Sequence, residues 1–115
     1  MTCKAFSAIL PFRARLIQAR WSGEAAWIPL ADFDLGVALE NPTGRPAVGE
    51  ILFHPADHSE CEILIPYGRA TYRCKDGELV GNRFLTVVEG EQQLAKVGEL
   101  VLWHGSQEIT FSQVR

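Results

Sequence analysis

The chain has 115 residues, which fits one domain over 1–115, with 47% apolar residues and a net charge of −3 from 11 Lys and Arg against 14 Asp and Glu. A mildly acidic balance without a run of like charges argues against nucleic acid and anionic membrane surfaces, whose binding rests on neutralising phosphate. Three cysteines without a CxxC pair are not a disulfide framework, no stretch approaches the roughly 20 apolar residues of a membrane helix, and the N-terminus lacks signal-peptide order, so a reduced, cytoplasmic protein is expected.

Residues 2–10 read as a short helix capped by Thr2, with Cys3, Phe6, Ile9 and Leu10 on one face and Pro11 ending it. Residues 14–21 (ARLIQARW) and 26–30 (AWIPL) read as strands joined at hairpin length through Ser22, Gly23, Glu24 and Ala25. Residues 31–48 have little periodicity and carry Gly36, Pro42, Gly44 and Pro46, the marks of a long loop with one helical turn near Ala31–Leu35. Strands follow at 50–54 (EILFH), at 60–66 (ECEILIP, with Cys61, Ile63 and Ile65 facing away from Glu60, Glu62 and Leu64), at 69–74 and at 83–88 (RFLTVV). Turns are expected at Pro55–Ser59 and at Lys75-Asp76-Gly77. Residues 91–103 give a second helix with Leu94, Val97 and Val101 on one face, Leu100 and Trp103 beside them, and Gly98 where a close approach to the sheet is expected. Gly105 ends it, and 107–113 form the last strand. The pattern is mainly β with two helices and no βαβ alternation, which favours an antiparallel barrel or sandwich.

The opening TCKAFSAILPF resembles the first helix of cyclophilin-like domains, and FLTVVEGEQQLAKVGELVLWHGSQEITF resembles their closing strand–helix–strand unit. The phrases ARWSGEAAWIPL, GEILFHP and GNRFLTVVEG are similar to a small uncharacterised bacterial family with that fold, domain of unknown function 3830. The resemblance implies a cyclophilin-like antiparallel β-barrel. By the same resemblance the barrel is expected to be incomplete at the N-terminus, the β-hairpin that precedes the first helix in such domains lying upstream or being missing, and unpaired edges would then invite a second copy. Arg20 is matched to the catalytic Arg of true cyclophilins with a one-residue shift, while Pro29 stands where their Gln belongs. An efficient prolyl isomerase is therefore not expected.

Arg20, Trp21, Glu24 and Trp27 surround the first hairpin, and a guanidinium beside indoles suits a small anionic or amide-bearing ligand. The competing reading is an Arg20–Glu24 ion pair with both Trp rings in the core. His54, His58, Glu60, Cys61 and Glu62 form the densest polar cluster, which reads more simply as a solvated hairpin tip with one buried thiol than as a metal site. Asn82 is placed in a turn or in the barrel groove, and His104 complements the end of the second helix. There is no G-x-S-x-G, P-loop, dinucleotide fingerprint or HExxH. The function expected is binding of a small polar or anionic metabolite at Arg20, Trp21, Glu24, Trp27, His54 and Asn82, with no catalytic residue, no metal and no cofactor. The alternatives are a weak prolyl isomerase and a homodimeric interaction protein.

Overall fold

The computed structural model describes residues 1–31, 33, 35–55, 60–74 and 77–114, apart from the side chains of Arg20 and Cys74. Among the described residues nine strands and two α-helices follow one another as α1 (Thr2–Ser7), β1 (Phe12–Gln18), β2 (Gly23–Pro29), β3 (Pro42–Thr43), β4 (Glu50–His54), β5 (Glu62–Ala70), β6 (Arg73–Cys74), β7 (Gly77–Glu78), β8 (Gly81–Thr86), α2 (Leu94–His104) and β9 (Gln107–Phe111). Seven strands form one sheet in the order β3-β8-β4-β5-β2-β1-β9, and β6 pairs with β7 separately. Every pairing is antiparallel. The mainly β, antiparallel expectation with two helices holds. Among the described residues no helix is long and apolar enough to cross a membrane.

Alternation along the strands builds two apolar clusters, one on each face of the sheet. Ala26, Ile28, Phe53, Ile63, Ile65 and Phe84 join Phe6 of α1 and Leu94 and Val101 of α2 on one face. Ala25, Leu52 and Leu64 join Ala19, Ala70, Tyr72 and Leu79 on the other, with Trp27 at the margin. Strands β4 and β5 are therefore buried on both faces, which is why ILF and ILI read as continuous apolar runs. The ring of Phe6 meets Phe84 of β8 at 5.1 Å and Phe111 of β9 at 5.2 Å, so the two ends of the sheet converge on α1.

Several local expectations are corrected. The first helix stops at Ser7 rather than residue 10, and Thr2 lies inside it, not at its cap. Its N–H and hydroxyl both donate to the Glu40 carboxylate, at 2.8 and 2.9 Å. A partner in the long loop has displaced the local cap. The strand expected over 14–21 ends at Gln18, and Arg20–Ser22 make a 3-10 turn. The Ser22 N–H donates to the Ala19 carbonyl at 2.9 Å, so the connection falls at 19–22 and β2 starts early. Strands 60–66 and 69–74 are instead the long β5 and the short β6. Phe33 N–H donates to the Leu30 carbonyl in the expected turn, although Asp32 and Asp34 lie outside the described residues, as do 56–59 and Lys75-Asp76 of the two other turns. The second helix opens as a 3-10 turn, Glu91–Gln93, and Trp103, expected beside the buried face, is 74% exposed.

Gly98 confirms the close approach. It is buried in α2, and a Cβ there would overlap the Tyr67 ring, whose hydroxyl donates to Gln18 Oε1 at 2.7 Å. Gly98→Ala should gain at most about 1 kcal/mol in helix propensity and lose about 1–3 kcal/mol to overpacking. The variant is expected to melt a few degrees below the wild type. A melt at or above it would show that α2 does not rest on Tyr67.

Candidate functional site

The register of β4 on β5 places His54 directly opposite Glu62, one step beyond the Phe53–Ile63 pair. Both side chains fall on the Leu52–Leu64 face, since residues two apart share a face. On β2, Trp27 pairs with Leu64 and reaches diagonally to Glu62, where its indole N–H donates to Oε2 at 2.9 Å. The chain leaving β5 then folds back over this face. Tyr72 N–H donates to the Gly44 carbonyl at 2.8 Å, Leu79 N–H donates to the Tyr72 carbonyl at 2.9 Å, and the Tyr72 side chain lies beneath. His54 Nδ1 sits 2.7 Å from the Val80 carbonyl of the same segment. A carbonyl only accepts, so Nδ1 carries the proton and donates.

These polar groups are deep: His54 is 3% exposed, Glu62 4% and Tyr72 0%. His54 Nε2 and the Tyr72 hydroxyl have no hydrogen-bond partner among the described residues. A buried polar atom left unpaired costs about 1–3 kcal/mol, so such atoms call for an explanation. Burial raises the Glu62 carboxyl to about 7, the nearby Glu60 charge adds to this, and the Trp27 N–H opposes it. Burial also raises the Tyr72 phenol, with the Glu62 charge behind it, so it stays an O–H. An indole pair borders the group: Trp21, 52% exposed, meets Trp27 edge-to-face at 5.3 Å.

Of the six residues expected to form one site, the five with described side chains divide between the two faces of the sheet. Trp27 and His54 both adjoin Glu62, and Trp21 packs on Trp27. Glu24 lies on the opposite face, where its carboxylate accepts the Arg69 N–H at 3.0 Å and packs so closely on Gly68 that no Cβ would fit. Asn82 is also on that face, buried in β8 rather than in a turn. Its Oδ1 accepts the Glu40 N–H at 2.6 Å, and its Nδ2 donates to the Ala38 carbonyl at 2.8 Å and to Thr2 Oγ1 at 3.0 Å. These bonds use up the amide in fastening α1 and the long loop. The Arg20 side chain lies outside the described residues, and with it the Arg20–Glu24 pair. The reading that put both Trp rings in the core is corrected by the exposure of Trp21.

The solvated hairpin tip is also corrected. His54 and Glu62 are buried, Glu60 is exposed, Cys61 belongs to the core on the other face, and His58 lies outside the described residues. Glu62 and Tyr72 were missed as site residues. The signal for Glu62 was available: a strand apolar on both faces buries whichever polar residue interrupts it. No described group of three His, Cys, Asp or Glu side chains could hold a metal ion.

Two cavities lie elsewhere. A groove of about 640 Å³ runs between α1 and the ends of β8 and β9, walled by Phe6, Leu10, Leu85 and Phe111. A smaller one of about 400 Å³ lies between α2 and the start of β2, beside Tyr67 and Trp103. The larger groove is mostly apolar, and neither unpartnered buried atom faces it.

Residues 1–113 match the model of a family described as protein of unknown function (DUF3830). No curated protein matches the chain.

Proposed function

From the premise that the chain belongs to the family described as protein of unknown function (DUF3830), we propose that it binds a small polar molecule at Trp27, His54, Glu62 and Tyr72. One observation carries this reading: two polar atoms, His54 Nε2 and the Tyr72 hydroxyl, are buried without a described partner beside a carboxyl that burial holds near neutrality. Buried titratable groups perturbed by desolvation and by neighbouring charges, as Glu62 and Tyr72 are, are a recurring feature of functional sites. The half-buried Trp27 and the exposed edge of Trp21 supply an apolar wall, as small-ligand sites require. The finer fold reading, a cyclophilin-like barrel open along one seam, is supported by Phe6 packing between the two ends of the sheet.

Tyr72→Phe tests the proposal. It removes the unpartnered oxygen and keeps the ring. The ligand-free variant is expected to melt no lower than the wild type, because no bond within the protein is lost. Against a panel of small amines, amides, alcohols and carboxylates, the wild type should respond to a binder. A ligand at a hundred times its Kd adds about 2.7 kcal/mol, a rise of several degrees. The variant should lose most of that rise. A lower melt for the ligand-free variant would mean that the hydroxyl serves the fold.

A further inference from the structure

Donor and acceptor capacity at the buried cluster narrows the class of ligand. With Nδ1 donating to Val80, the Nε2 of a His54 ring that carries one proton is an acceptor. The Tyr72 hydroxyl oxygen accepts as well as donates. Glu62 has Oε2 engaged by Trp27, and the described hydrogen bonds leave its other oxygen open. Three groups able to accept therefore share one side of the sheet, His54 opposite Glu62 and Tyr72 within reach of the Glu62 charge, and the Trp21–Trp27 pair beside them adds aromatic rings, whose faces attract cations.

The surrounding charges agree. Glu60 adds negative charge beside Glu62. Arg83, on the same face of β8 opposite Leu52, is held by Glu50 at 3.1 Å. Arg69 and Arg73, on the chain that crosses this face, are exposed. No described cationic side chain is engaged with Glu62. An anion would meet a carboxylate with little to hold it. A metal ion would find only His54 and Glu62, with no third ligand of that kind among the described residues. A neutral amide would satisfy the two orphaned atoms but offer no countercharge to Glu62 once it ionises.

Building on the binding site proposed above, we infer that its ligand is a small organic cation, an alkylammonium or a guanidinium, whose charge is met by Glu62 and whose N–H groups are met by His54 Nε2 and the Tyr72 oxygen. Such a ligand replaces a proton. Its affinity rises as Glu62 ionises, and binding draws the carboxyl toward its charged form.

The test uses the intact chain and four probes, methylguanidinium, methylammonium, acetamide and acetate, followed by tryptophan fluorescence at matched ionic strength. Saturable binding of one of the two cations is expected near pH 8, weaker by roughly tenfold or more near pH 5.5 because Glu62 is then protonated. Glu62→Gln should abolish this pH dependence and the preference over acetamide. Acetamide binding as tightly as the cations, or a cation affinity that does not change with pH, overturns the cation class and leaves the polar-ligand site standing. If no probe binds, and the wider panel gives no shift in melting, both readings fall. A Glu62→Gln protein that still binds the cation with the wild-type pH profile places the cation elsewhere.

Discussion

Glu62→Gln should melt about ten degrees above the wild type near pH 8 and level with it near pH 4. The carboxyl is raised from 4.5 to about 7, chiefly by burial. In the unfolded chain it loses its proton near the ordinary value. Below that pH both states are protonated, and burying a neutral acid carries no charge penalty. Between the two values the native state holds a proton that the unfolded state has released, so stability falls as pH rises, by at most about 1.4 kcal/mol per unit. Above the native value the loss levels off at about 3 kcal/mol. Glutamine keeps an oxygen for the Trp27 N–H and never ionises, so the variant escapes the whole loss. Thermal unfolding of both proteins at the two pH values reads the effect directly. An advantage for the variant that is the same at both would show that Glu62 is not the titrating group.

Asn82→Ala is expected to lower stability by about 3–4 kcal/mol. The substitution strands the Glu40 N–H and the Ala38 carbonyl, frees Thr2 and opens a hole under α1. Asn82→Asp is the sharper variant. It preserves shape and the acceptor for Glu40, but it replaces the donor with an oxygen facing the Ala38 carbonyl. It should rescue little. The loss should appear as faster amide exchange at residues 38–40 and earlier cleavage of the long loop by protease. A loss below about 1 kcal/mol would mean that the loop and α1 are held without the Asn82 amide, by packing and by the Thr2–Glu40 bonds.

Both effects arise where contacts distant in sequence override local rules. Strands β4 and β5 were legible because ILF and ILI are apolar runs that admit few other structures. Gly98 was legible as a close contact because a glycine in an amphipathic helix needs a reason. Thr2 was misread because its local chemistry fits a helix cap. Asn82 and Glu40, roughly 80 and 40 residues away, claim it instead. The first hairpin was displaced because Ser22 closes a 3-10 turn onto Ala19, which periodicity does not reveal. The candidate site was half legible. Trp27 and His54 were named, and alternation set Glu62 apart from Cys61, but the burial of Glu62 depends on where the chain goes after β5. Tyr72 reads as an ordinary strand tyrosine until residues 70–80 are seen to fold back over β4 and β5.

The central claim, that the cluster is built for a ligand, is tested most directly by the three tryptophan side-chain N–H resonances of this chain. Trp27 donates to Glu62 inside the cluster, Trp21 touches it, and Trp103 stands apart on α2. As the small polar panel is titrated in, the account predicts a saturable shift of the Trp27 resonance, a smaller one for Trp21, and none for Trp103. A Trp27 resonance that stays still throughout, or three resonances that drift together without saturating, would contradict it.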